Sequence, residues 1–305
     1  MKKTHLTKQK TVGLVRNTVF YFVLIYVSFV FLEPLIRIVT KTFMTAEDII
    51  DPMVEWVPRK LSLNNLKVAA QVLNLKVTLK NSILFSAVLA TAQTICAALT
   101  GFALSRYEFR LKKFWYVMII LCFVVPTSVL MVPRLMMVVT VQEKIGYTLI
   151  GTPIPQLLMA LLGQGVNSTI LILIFQNFFN LIPKSLDEAA MIDGAGPFKV
   201  FWHIGMRLSL STVLVVFLFA FVWNWNETYM TGTFLRSGIQ LLPSKLSLFD
   251  SEFEDVVSSS GSAFKLNEAY KLAATFISIA PLVLLYSFVQ KKFIEGIENT
   301  GITGE

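Results

Sequence analysis

The sequence is short of charge. Asp, Glu, Lys and Arg make up 15% of its 305 residues, where an average soluble chain carries about 25%. Hydrophobic residues reach 55% and the mean hydropathy is +0.66. A disordered chain, a secreted disulfide scaffold and a conventional soluble enzyme all fit this poorly. Cysteine is scarce as well: Cys96 and Cys122 both sit inside apolar runs, so no disulfide framework is expected. With His5 and His203 as the two histidines, neither a structural zinc nor a Cys–His catalytic pair is expected. The Walker A pattern G-x-x-x-x-G-K-[ST] is missing, and so is any nucleophile–base constellation. This chain is therefore not expected to hydrolyse ATP. A net charge of +8 would suggest nucleic acid in a soluble protein. Basic residues flanking membrane spans account for it here, and no nucleic acid is expected.

What the sequence has in quantity is apolar runs near 20 residues, the length that crosses a hydrocarbon core about 30 Å thick. The expected fold is all-α: a polytopic membrane protein with about six transmembrane helices, 1–305 forming a single transmembrane domain. A basic start, MKKTHLTKQKTVGLVR, precedes an apolar stretch over 17–38. A signal peptide has a shorter apolar region ending in small residues, whereas this one continues through Glu33-Pro34 to Arg37, so it reads as a retained first helix. Further spans are expected near 82–104, 114–133, 153–181, 209–231 and 272–289. The fourth is too long and is interrupted at Gly163-Gln164-Gly165-Val166-Asn167. That predicts a kink or break, tolerated where neighbours or a cavity satisfy the freed backbone.

Orientation follows from Lys and Arg. The five basic residues before the first helix, and Arg106, Arg110, Lys112 and Lys113 crowded into 105–113, favour both termini inside. Lys67, Lys76 and Lys80 in the first external loop work against that bias. Segments 1–16 and 183–208 are then cytoplasmic, and 39–80 and 233–271 are the long external stretches. The latter contains Asp250-Ser251-Glu252-Phe253-Glu254-Asp255 and Ser258-Ser259-Ser260-Gly261, which reads as an exposed acidic loop serving solubility or docking.

Acids within spans are limited to Glu33, one helical turn from Arg37, and Glu227. An ion-coupled carrier would show more ionisable groups at membrane depth, so the energy source is expected outside the membrane and the solute uncharged. The cluster Trp223-Asn224-Trp225-Asn226-Glu227 is the most polar-aromatic one in a span. Asn224, Trp225, Asn226 and Glu227 are candidate substrate-pathway residues, since aromatic faces and amides suit sugars. An interfacial aromatic belt is the other reading.

The segment 182–204 reads I-P-K-S-L-D-E-A-A-M-I-D-G-A-G-P-F-K-V-F-W-H-I. Ser185 and Glu188 form an S-x-x-E capping box, predicting a helix from Leu186 with Asp187 and Glu188 in its first turn, where the dipole favours acids. Gly194 supplies a left-handed C-terminal cap, and Pro197 suits the first position of a new helix. The result is a helix of about eight residues, below the 12–15 or so at which isolated helices become even marginally stable. It must be bound by something. Leu186 with Ala189-Ala190, and Glu188 with Met191-Ile192, give it adjoining small, apolar and acidic faces. It is either a plug for a groove in another protein or a loop packed on its own helix ends.

Glu188-Ala189-Ala190 followed by Asp193-Gly194-Ala195 resembles the EAA loop of ABC importer permeases, the coupling helix that sits in a cleft of the ATPase subunit. The wider string is similar to the carbohydrate-uptake branch, the maltose-importer type. Asn81-Ser82, Ala103-Leu104-Ser105-Arg106-Tyr107-Glu108-Phe109, Pro126, Pro133, Trp225-Asn226-Glu227 and the exit Gln290-Lys291-Lys292-Phe293-Ile294-Glu295-Gly296 carry the resemblance along the chain. Where such loops continue isoleucine-x-leucine-proline, this chain has Ile204-Gly205-Met206-Arg207, so the second loop helix is expected to run more smoothly into span five. The tail Gly301-Ile302-Thr303-Gly304-Glu305 ends acidic where relatives commonly end basic.

The resemblance implies a permease subunit of a bacterial cell-membrane ABC importer for a sugar, with an oligosaccharide the expected cargo. It implies Ser185, Glu188, Ala189, Ala190, Asp193 and Gly194 as the ATPase-coupling residues. It also implies a second permease (a heterodimer), two ATP-binding subunits holding ATP and Mg, and an extracellular or periplasmic solute-binding protein. No cofactor or metal is expected on this chain itself. The alternatives are a polyol, glycerol phosphate or peptide permease, or an ATP-independent channel or membrane enzyme.

Overall fold

The computed structural model describes the backbone of residues 2–236, 238–260 and 267–299, and side chains over 16–236, 238–258 and 267–291. The acidic tail and Gly261 lie outside the described residues. Among the latter there is helix and no strand. Along the chain the helices are α1 (Lys2–Thr42), α2 (Ala46–Ile50), α3 (Asn64–Val72), α4 (Leu75–Arg106), α5 (Lys112–Val124), α6 (Thr127–Ile145), α7 (Ile154–Leu161), α8 (Ser168–Leu181), α9 (Lys184–Ile192) and α10 (Pro197–Val200). A π-helical turn (Phe201–Gly205) then leads to α11 (Met206–Leu208), α12 (Leu210–Asn226), α13 (Tyr229–Phe234), α14 (Leu242–Ser247), α15 (Phe249–Ser260) and α16 (Glu268–Asn299).

Three helical stretches are long and apolar enough to cross a membrane unbroken: Arg16–Thr42, Leu75–Arg106 and Glu268–Lys291. Three further bent helix pairs bring the total to as many as six. The break expected within 163–167 is present, with Gly163 at φ +73° and Asn167 at φ +51° between α7 and α8. The third span differs from expectation. It does not run through to 133 but stops at Val124, and α6 leaves at 107° to α5. Pro126 explains this: it lacks an N–H and pushes the residue before it out of helical backbone, and Val125 is extended at ψ 121°. The fifth span also ends early, at Asn226, with Glu227 extended.

The chain divides into two compact units, Met1–Val72 with Phe253–Ile279, and Leu73–Glu252 with Ala280–Glu305. In the second, α4 is the central helix and packs on α7, α8, α12 and α14. Its buried face recurs at helical spacing through Ser82, Ser86, Ala90, Ala97, Gly101 and Ser105, small residues that let helix backbones come close where lipid supplies no hydrophobic drive. The approach is tightest at Gly101, where a Cβ would lie 2.7 Å from Phe175 Cβ and 2.9 Å from the Gln176 backbone nitrogen. Asn81 and Ser82 tie the 240–242 segment to this helix. Asn81 Nδ2 donates to Gln240 O (3.1 Å), and Ser82 Oγ accepts from Leu242 N (2.7 Å).

A buried polar knot joins α4, α8 and α12. Gln93 Nε2 donates to Val166 O and Ser168 Oγ, both at 2.8 Å. Gln93 Oε1 accepts from Asn224 Nδ2, which also donates to Ala220 O. Every polar atom of the Gln93 amide is thereby matched at a site closed to water, which avoids the desolvation penalty of an orphan group.

In the first unit, the end of α1 is capped by Asn65, whose Nδ2 donates to the Lys41, Thr42 and Met44 carbonyls. Glu33 pairs with Arg37, whose guanidinium also reaches Glu55 (3.2 Å) and lies 5.4 Å from the Trp56 ring centre. Lys41 pairs with Glu268 at 2.9 Å.

The acidic stretch 250–255 is helix α15, not an exposed loop. Phe249 and Phe253 are buried and Val256 and Val257 half-buried, an i, i+4, i+7, i+8 stripe that marks an amphipathic helix. Asp250 and Glu252 occupy its first turn, where the dipole favours them.

Candidate functional site

The loop helix forms, but two residues earlier than the capping box predicts. α9 begins at Lys184 with Pro183 as its N-cap, and no side chain caps it. Ser185 therefore falls inside the first turn and Glu188 beyond it, so the two are not in capping positions. Pro183, at φ −57°, presets the entry, and a buried partner for Asp187 fixes the register. The C-terminal signal is realised in full. Gly194 takes φ +82°, Ala195 N–H donates to Ala190 O (2.9 Å) and Gly194 N–H to Met191 O (3.0 Å), the two bonds of a Schellman motif. A Cβ at Gly194 would meet nothing within 4 Å. Gly194→Val is thus a purely conformational test: it should weaken the cap by about 1–2 kcal/mol, read as faster proteolysis at this loop in the folded protein.

Asp187 is the one buried residue of α9. Its carboxylate lies 2.8 Å from Arg106 Nε, with both side chains at most 9% exposed, and Arg106 Nη1 donates to Ile182 O at 3.0 Å. One arginine at the end of α4 thus holds both the last turn of the α8 segment and the first turn of α9. Burial pushes the Asp187 carboxyl up, Arg106 opposing and Glu188 adding to the shift. Burial, and then the Asp187 charge, likewise push up the Tyr107 phenol. Sequence reasoning missed this pair, taking Arg106 for an orientation charge and Asp187 for a dipole partner.

Aromatic rings fasten the second half of the loop. Phe102 meets Phe179 and Phe201 edge-on at 5.2 Å each, and a Cβ at Gly205 would stand 3.1 Å from Phe102. Pro197 opens α10 as expected. The smooth run into span five does not occur: Pro197–Leu208 and Leu210–Asn226 meet at 82°. The turn at buried Ser209 makes this bend without a proline at 207, the π-helical turn before it having wound the chain more loosely.

The rest of the loop is uncovered. Ile192 is 86% and Phe198 71% exposed, and Leu186, Met191 and Trp202 are exposed beside them. Ser185, Glu188, Ala189, Asp193 and Gly194 are exposed and Ala190 half-buried. Of the two readings of this short helix, self-packing is limited to the Asp187 anchor and its small neighbourhood, while the apolar side faces outward.

The four pathway candidates do not share one surface. Asn224 belongs to the Gln93 knot. Trp225 is buried against Phe221, with ring centres 5.9 Å apart. Asn226 is exposed and donates to Val222 O (3.0 Å). Glu227 accepts from Met230 N (2.7 Å), capping α13, and lines a cavity of about 100 Å³ with Arg134 and the 163–169 break. Among the described residues no three His, Cys, Asp or Glu side chains gather in a way that could hold a metal.

Residues 75–298 match the family described as the binding-protein-dependent transport system inner membrane component. Among curated proteins the chain is similar to the arabinooligosaccharides transport system permease protein AraQ of Halalkalibacterium halodurans, 22% identical across 92% of this chain and 94% of that protein. It is also similar to the probable starch degradation products transport system permease protein AmyC of Thermoanaerobacterium thermosulfurigenes, 24% identical over 97% of each. Among solved structures it shares its fold with a chain of a bacterial ABC transporter involved in the import of the acidic polysaccharide alginate. The TM-score there is 0.73 at 19% identity, covering 92% of this chain and 96% of that one.

Proposed function

Because the chain belongs to the binding-protein-dependent transport system inner membrane components, we propose that it forms half of the transmembrane pathway of an importer and takes its power from a separate ATPase through loop 183–208. The observation that carries this reading is a nine-residue helix, α9, fixed at its base by Arg106–Asp187 while its apolar side lies bare. A helix so short draws its stability from what it touches. Ser185, Glu188, Ala189, Ala190, Asp193 and Gly194 would enter the cleft of the ATP-binding subunit, which holds ATP and Mg. Movement of that subunit is passed to α4 and α8 through the arginine and the aromatic cluster, and to α12 through the continuous chain from Phe201 to Ser209.

The remaining parts of the machine follow from the family: a second, nonidentical permease, two ATP-binding subunits and an extracellular or periplasmic solute-binding protein. Both termini are cytoplasmic in this reading. In support, the Arg106–Asp187 contact puts loops 105–113 and 183–208 on one side, as the basic-residue pattern requires. The cargo is a saccharide, supported by the arabino-oligosaccharide and starch-product systems of the relatives. Glu188→Lys reverses an exposed charge on the contact face without touching the anchor. It should cut copurification of the ATPase and solute uptake at least tenfold at unchanged membrane abundance. Unaltered copurification and uptake would overturn the coupling role.

A further inference from the structure

Three helices of the second unit stop at one level. α5 ends at Val124, α8 begins at Ser168 and α12 ends at Asn226. Counted from the ends that meet loops 105–113 and 183–208, they are about 20, 21 and 26 Å long, each short of a hydrocarbon core about 30 Å thick. Irregular backbone at such a depth is tolerated where it lines a polar cavity, and the cavity is there. Cys122, Thr127, Arg134, Gln164, Asn167 and Glu227 contribute to its wall. The 107° turn at Pro126 is what brings Arg134 to it, although a straight third span would have left this residue in the loop beyond.

The charges at the cavity are not matched to each other. Arg134 donates from Nη2 to the neutral Gln164 Oε1 at 3.2 Å, and no carboxylate among the described residues lies within ion-pair distance of it. Glu227 is turned to the Met230 N–H. A guanidinium has five N–H donors and strongly prefers a planar two-oxygen anion. An arginine at membrane depth without a counter-ion marks a place where charge is met by something that passes through. At about 100 Å³ the cavity has room for a carboxylate group.

Resting on the importer reading above, we propose that this cavity receives a carboxylate of the cargo, so that the saccharide carried contains uronic acid residues. The expectation of an uncharged solute followed from acids alone, with Arg134 placed outside the spans.

The test uses the whole importer in its own cells. Uptake of a panel of labelled oligosaccharides of equal length, uronate-containing and neutral, is compared between wild type, Arg134→Gln and Arg134→Lys, with ATPase copurification and membrane abundance measured in parallel. Wild-type cells should import an acidic member. Arg134→Gln should lower that uptake about 10- to 100-fold, the loss expected of one charge-assisted contact, and Arg134→Lys should keep part of it. Import of neutral members only, of no member, or of acidic ones equally by Arg134→Gln would overturn the proposal while leaving the permease reading intact if the ATPase still copurifies. Failure of wild type to retain the ATPase would overturn the reading beneath it.

Discussion

Arg106→Met is expected to release the loop from the membrane domain. The substitution strands Asp187 in a site that leaves its side chain 9% exposed, and breaking a buried pair from one side typically costs about 3–5 kcal/mol. The carboxylate escapes by protonation or by drawing α9 out toward water, and the Ile182 carbonyl loses its donor as well. Purified complex should lose its ATPase and unfold at lower temperature. Asp187→Asn should do less, because Arg106 keeps its bond to Ile182 and a neutral amide costs less to bury. The double variant Arg106→Met with Asp187→Leu removes both charges and should regain most of the thermal stability. If uptake stays low when stability returns, the ion pair sets the angle at which α9 is offered; if uptake returns too, it served stability alone.

Gly101→Leu should prevent assembly of the helical core. The atoms that crowd a Cβ at this position are Phe175 Cβ and the backbone of Gln176 and Ile172, at 2.7–3.0 Å, none of them the loose end of a side chain. α4 and α8 would have to separate along their whole contact. Even Gly101→Ala should cost about 1–3 kcal/mol, as overpacking commonly does. The leucine variant should fail to accumulate in the membrane and be degraded, while Leu99→Ala, on the exposed side of the same helix, should accumulate normally.

The chemistry of single segments was legible in the sequence and the pairing of distant ones was not. Apolar length announces a membrane protein, and Gly194 announces a helix end, because each depends on a few neighbouring residues. Glycines 163 and 165 likewise mark the fourth-span break. Pro126 was visible, but the third span was carried through it to 133, since nothing local says whether a chain continues across the bilayer or turns within it. In α15 the acids masked an apolar stripe that Phe249, Phe253, Val256 and Val257 spell out at helical spacing. Arg106 meets Ile182 from 76 positions away, a distance over which no periodicity carries information. Trp225 was assigned to a surface by residue type, whereas the Gln93–Asn224 hydrogen bond turns that part of α12 inward.

The arginine that anchors the loop has a history within each molecule's synthesis. Arg106 leaves the ribosome well before Asp187, and during that interval it stands as a free cation beside Arg110, Lys112 and Lys113. Such free cations are what an inserting chain is sorted by. Only after α8 has been threaded does its carboxylate partner arrive and hide it. With loop 105–113 on the inside, as proposed above, the same side chain would act on topology first and be paired afterwards, and a nascent chain arrested between the two residues would expose a charge that the finished protein conceals.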